Sequence, residues 1–287
     1  MNANMRSLLP SATGLAVALL MLGIVGEARA AGNKKNPTSK IYVADLTGVS
    51  TIEEGDKIDD LNSKSVYNAE GTAIETKPDA TNAVVLSNGT GVFFEKDTRL
   101  EVQKFMQEPF TPNRNDPEVE PSISQTQASL PRGSVGLCTS KLVAGSNMVY
   151  NTPQASIAIR GRKVVVETND GQTTVSLLEG DVTVRGDQVS GGESLKPGQQ
   201  AIITRKSPNS PPVITIQPIP AAQMAALNDK VTMACMARNS VYFAPENKVN
   251  TVDSVFTKED DPPQELKPHQ VLPPSVSPSI TVSAQAK

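Results

Sequence analysis

The sequence predicts an all-β protein, either a compact sandwich or a solenoid-like roll of short strands, with one C-terminal helix and a disordered tail. Three observations lead there. From residue 41 to residue 205, short β-branched runs alternate with turn residues, the pattern of strands that bury one face. The turns are explicit at Ser87-Asn88-Gly89, Asn169-Asp170-Gly171, Leu178-Glu179-Gly180 and Lys196-Pro197-Gly198, where Asn and Gly accept the positive φ that tight hairpins need. No useful helical period interrupts this stretch; one begins only at residue 221.

Residues 1–30 read as a secretory signal peptide. Arg6 supplies the positive start, Leu15 to Val25 an apolar core, and Ala28-Arg29-Ala30 a small-residue cleavage site. The chain is therefore expected to be periplasmic or secreted, with no stable membrane insertion after cleavage. The β domain follows over residues 41–205. Expected strands are Ile41–Leu46, Ala83–Leu86, Gly91–Phe94, Leu100–Phe105, Ser134–Cys138, Met148–Asn151, Ser156–Ile159, Lys163–Thr168, Thr173–Leu178, Asp181–Arg185 and Gln200–Thr204. Alternation assigns Val84, Leu86, Phe93, Val135, Leu137, Ile157, Ile159, Val164, Val166, Val175, Leu177, Val182, Val184 and Ile202 to the core. Glu108 to Pro121, rich in proline and charge, reads as a surface loop.

Residues 206–220 form a proline-rich linker with an extended patch at Val213 to Ile216. Over 221–242 the period changes, and Met224, Leu227, Val231 and Cys235 fall on one helical face. A helix of this length is marginal alone, so its apolar stripe is expected to pack on the β domain. Residues 243–287 carry no apolar period and are expected to be a disordered tail.

Composition excludes several functions. The net charge is −3 with scattered lysines and arginines, so no basic footprint for nucleic acid exists. The single histidine, His269, stands among prolines in the expected tail, leaving no histidine for acid–base catalysis or metal ligation in the folded region. No catalytic residue, cofactor or metal site is assigned, and the chain is read as not an enzyme. Aromatic residues make up 3% of the chain, which counts against a sugar-stacking hydrolase cleft. The acidic run IEEGDKIDD at 52–60 lacks EF-hand spacing and reads as a solvated loop. Asn88-Gly89-Thr90 has the form of a glycosylation sequon but is explained by its turn.

Cys138 and Cys235 are too far apart for a CxxC site. Period-two alternation turns Cys138 away from Val135 and Leu137, toward the side a covering helix would occupy, and Cys235 lies on the helix's apolar face. Two readings stay open: a disulfide, or two separately buried thiols.

Four ordered segments carry a resemblance. They are TAIETKPDATNAVVLSNGTGVFFEKDTRLEV (72–102), MVYNTPQASIAIRGRKVVVE (148–167), VSLLEGDVTV (175–184) and LKPGQQ (195–200). Together this order resembles the FecR domain of bacterial envelope proteins. Thr152-Pro153 and Arg160-Gly161 sit where that family carries its Thr-Pro and Arg-Gly motif turns; Arg162 replaces the usual threonine. The resemblance implies a periplasmic β fold, although the cytoplasmic anti-sigma segment and membrane span of its signalling members are replaced here by the signal peptide. Arg160 and Gly161 read first as a structural turn.

The expected function is that of an exported, non-enzymatic binding or scaffolding module whose partner is an envelope protein. Two alternatives stand beside it: a component of envelope signal transduction acting through a separate membrane protein, and a module binding cell-wall glycan. No nucleic acid partner is expected.

Overall fold

The computed structural model describes residues 39–110, 118–160, 162–186, 191–207, 210–245 and 266–270. Its elements are β1 (Lys40–Thr47), β2 (Ser50–Glu54), β3 (Lys57–Asp60), β4 (Val66–Asn68), β5 (Thr72–Thr76), β6 (Thr81–Leu86), β7 (Thr90–Phe94), β8 (Arg99–Gln107), β9 (Ser124–Cys138), β10 (Asn147–Asn151), β11 (Ser156–Ile159), β12 (Lys163–Asn169), β13 (Gln172–Glu179), β14 (Val182–Arg185), β15 (Glu193–Leu195), β16 (Gln199–Thr204), β17 (Val213–Pro218), α1 (Ala221–Ser240), β18 (Val241–Pro245) and β19 (Leu266–Gln270). Among the described residues the protein is all-β with a single C-terminal helix. The expected signal peptide lies outside the described residues.

Strands β1 to β17 form one continuous, open, mixed array, which folds into two layers sharing β9. The first layer runs β3-β2-β5-β8-β9-β10-β11-β14-β15. The second runs β4-β1-β6-β7-β9-β12-β13-β16-β17. All these pairs are antiparallel except β9 with β10. From β5 to β17 the chain changes layer after each one or two strands, so it has the two-layer core of a sandwich and the winding of a roll.

The crossing point is in β9. Residues up to Arg132 pair with β8 in the first layer, and residues from Gly133 pair with β12 in the second. Gly133 has φ +94, and a Cβ there would stand 2.3 Å from the Thr98 hydroxyl, so only glycine fits the passage. Inner-face residues of both layers meet in one core that includes Ile74, Phe94, Phe105, Tyr150, Ile157, Val166 and Leu177. Phe93 and Ile202, expected in that core, face outward. Val92 and Phe94 take the inner positions on β7, and Ala201 and Ile203 those on β16. Alternation gives the period but not the starting face, and Phe93 is instead covered from the other side.

That cover is α1. It begins after Pro220, which has no N–H to leave unpaired, and ends where Val241 turns extended. Leu227 and Val231 pack on Val165 and Ile219, with Met224 and Cys235 beside them. Ala237 packs in a cluster with Tyr42, Ala83 and Val85. Each large aliphatic side chain buried this way stabilises the docked helix by about 1.5–3 kcal/mol. Cys138 and Cys235 are joined by a disulfide with Cα atoms 5.1 Å apart. Lys230 reaches into the interface, its Nζ 2.8 Å from Glu95 and 2.9 Å from the Ser134 hydroxyl, and pairs also with Glu167. Burial pulls this amine down, but the two carboxylates outweigh it and hold Lys230 above the ordinary lysine range.

Several segments differ from their expected form. The acidic run at 52–60 belongs to the hairpin β2–β3, with Ile52 buried and the acids on the wet side. Glu53 pairs with Arg99 at 2.9 Å, and Asp59 with Lys57. The proline-rich linker contributes β17, the outermost strand of the second layer. Within the expected tail, Leu266–Gln270 pairs with Val241–Pro245, which sets the His269 backbone opposite Tyr242. Asn88 is buried; in its turn its Oδ1 accepts from the Thr90 N–H at 3.2 Å, and its amide donates to the Ser124 hydroxyl at 3.0 Å.

Candidate binding surface

On β10, Met148 and Tyr150 enter the core, which sends Asn147, Val149 and Asn151 to the outer face of the first layer. The same parity turns Gln127 of β9, Ser156 of β11 and Arg185 of β14 outward. Register aligns them: Asn151 lies opposite Ser156, and Ser156 opposite Arg185. With neighbouring strands about 4.8 Å apart, this row of three spans roughly 10 Å.

A cleft of about 520 Å³ opens over this row. Its rim is the turn from Asn151 to Ser156. Thr152 builds that turn: its N–H donates to the Ala155 carbonyl at 2.8 Å, and its hydroxyl accepts from the Ala155 N–H at 3.0 Å. The hydroxyl of Thr173 donates to Thr152 Oγ1 at 2.8 Å and lies 2.7 Å from Gln154 Oε1, fastening the turn to β13. Arg205, after β16, lines the other wall and donates to the Gly186 carbonyl at 3.3 Å. The described lining contains amides, hydroxyls and two guanidinium groups, and no carboxylate, cysteine or histidine. Such groups recognise a ligand by hydrogen bonds and charge.

Residues 72–183 match the family model described as FecR protein. The chain carries a FecR domain. The matched span runs from β5 into β14 and so contains the long β9, the Thr152 turn and most of the cleft floor. Two crystal structures of an anti-sigma factor candidate from Parabacteroides distasonis ATCC 8503 are similar to the chain. One has a TM-score of 0.39 and the other 0.38, each at 18% identity. Each comparison covers 54% of this chain, and 62% or 63% of the neighbour, so the chain spans less than two thirds of either. No curated protein matches the sequence.

The FecR motif residues separate in space. Thr152 and Pro153 line the cleft. Arg160 stands exposed beyond the opposite end of β11, its N–H donating to the Asp181 carbonyl at 2.9 Å. Gly161 lies outside the described residues. Arg162, where the family has threonine, pairs with Glu118 and lies 3.5 Å from Glu179, tying the end of the Glu108–Pro121 stretch to β13. The cleft residues Gln127, Asn147, Asn151, Gln154, Ser156, Arg185 and Arg205 were not singled out by sequence. Their only signal is the alternation of buried residues with Asn147 and Asn151 on β10 and with Thr183 and Arg185 on β14, which any wet sheet face shares.

Proposed function

We propose that the chain is an exported, non-enzymatic binding or scaffolding module of the cell envelope that engages an envelope protein by strand addition at β17. The carrying observation is the character of that edge. Among the described residues β17 pairs with β16 alone. Of the edge strands, β3 is KIDD, fully exposed and charged, and β4 and β15 are three residues each. Short or charged edges are the usual protection against unwanted pairing. β17 is six residues, VITIQP, without charge. Pro211 and Pro212 precede it and Pro218 ends it, so Val213 to Gln217 is the stretch open to a partner strand.

The FecR domain supports the envelope setting and favours a second reading, a component of envelope signal transduction. On that reading the signal passes through a separate membrane protein; among the described residues no helix is long and apolar enough to cross a membrane. Both readings are tested by placing a photo-crosslinking residue at Val213, which is 54% exposed, and another at Asp170 in the β12–β13 hairpin as a control. A discrete adduct with one envelope protein from position 213 and not from 170 supports strand addition; a membrane-spanning partner selects the signalling reading. Equal labelling from both positions, or none, removes the β17 proposal.

A further inference from the structure

We propose that the cleft on the outer face of the first layer binds an acidic glycan, an oligosaccharide carrying carboxylates, at a site separate from β17. Its floor is a sheet face, and the backbone there is fully committed. β10 is paired with β9 on one side and β11 on the other, and β11 is also paired with β14. A peptide laid on this face finds no free N–H or carbonyl with which to extend the sheet. It also finds little apolar surface to anchor a side chain, since Val149, Pro153 and Ala155 are the apolar lining residues.

What the cleft offers is side-chain amides and hydroxyls beside two guanidinium groups. Amides donate and accept at once, as sugar hydroxyls do. The row Asn151–Ser156–Arg185 therefore presents an amide, a hydroxyl and a cation in line over roughly 10 Å, from the strand spacing, a length suited to neighbouring sugar units. Arg185 ends the row at the surface, and among the described residues it makes no ion pair. Arg205 faces the same space from the other wall, braced on the Gly186 carbonyl. A guanidinium fork matches a carboxylate with two parallel hydrogen bonds. Aromatic platforms are missing from the lining, so a neutral sugar, which gains most from stacking, has little to hold it. The carboxylate supplies the affinity and the amides supply the fit.

The test is calorimetric titration of the full chain with trigalacturonate, with maltotriose as the neutral trisaccharide and pentaglutamate as the acidic peptide. Trigalacturonate is expected to bind, more weakly as salt rises, and at least about tenfold more tightly than either comparator. Arg185→Gln, at an exposed position, is expected to weaken it about tenfold or more, the loss of one charge-assisted contact. Asn147→Ala, also exposed, is expected to weaken it less. Equal binding of trigalacturonate and maltotriose overturns the proposal, as does competition by pentaglutamate at equal strength or binding unchanged in Arg185→Gln. Crosslinking at Val213 is indifferent to every one of these outcomes, so either proposal can fail alone.

Discussion

The carbonyl oxygen of Ala234 in α1 lies 2.1 Å from the point where a Cβ on Gly91 would stand. Gly136, in the neighbouring strand, meets the Lys230 carbonyl in the same way at 2.7 Å. The two glycines form a shallow bed on the second layer, and the helix backbone rests directly in it. Gly91→Ala is expected to lift the helix and destabilise the protein by about 1–3 kcal/mol or more, the usual cost of overfilling a packed interface. The urea midpoint measures it, and a midpoint equal to the parent's would show that the helix does not sit this close.

The disulfide fixes the same helix. Cys138 lies on the row of Gly91, its partner in the ladder, and Cys235 follows Ala234. The bridge closes a loop with a sequence separation of 97, for which the chain-entropy model gives up to about 4.7 kcal/mol. Replacing both cysteines by alanine is expected to cost about 2–5 kcal/mol, read from denaturant unfolding with and without a dithiol reductant. Reductant should lower the parent's midpoint and leave the double variant's unchanged. Two alkylatable thiols in the non-reduced protein would show that the bridge does not form.

Tyr150 is wholly buried, and among the described residues its hydroxyl has no hydrogen-bond partner. Burial alone pushes the phenol well above the ordinary tyrosine range. Tyr150→Phe removes an unpaired polar atom without opening a cavity. The variant is expected to be as stable as the parent or more stable by about 1 kcal/mol. Loss of more than that on thermal unfolding would show that the hydroxyl is bonded.

Much of the fold was legible because most strands have one wet face. Lys163 to Val184 alternates cleanly, and β12, β13 and β14 lie where the alternation puts them. β2 and β3 were hidden because their acids suggest a loop, and only Ile52 marks the buried side. β9 was read only in its last five residues: Pro131 and Gly133, which let the strand pass between layers, look like a strand's end. The helix was legible by its change of period, and its stripe of Leu227, Val231 and Cys235 is the face that docks. The cleft was not legible, because Asn151, Ser156 and Arg185 are far apart in sequence and become a row only through the register of three strands. Of the motif residues, Thr152 pointed to the right turn, but what it exposes is made by neighbours that the motif does not contain.

The last prediction concerns Glu120, a carboxyl with 3% of its surface exposed. It accepts from the Ser146 hydroxyl at 2.6 Å, from the Val143 N–H at 3.1 Å, and from the Ser124 hydroxyl. In this way it anchors the end of the Glu108–Pro121 stretch to the start of β9 and to the turn before β10. Burial is the largest influence and pushes Glu120 above the usual carboxylate range, against the pull of those donors. A folded-state value above the unfolded one means that the folded protein holds this proton more tightly. The stabilisation is complete below the unfolded value, about 4.3 for glutamate, and is lost as pH rises through the higher folded value. Glu120→Gln removes the titration but keeps an acceptor for the Val143 N–H. The parent is therefore expected to lose stability relative to Glu120→Gln as pH rises from about 4 toward neutrality. Glu120→Ala strands the donors and is expected to cost about 1–3 kcal/mol at either end of the range. Urea unfolding of the three proteins at several pH values decides it: a parent that gains on Glu120→Gln with rising pH would mean that the three donors outweigh burial.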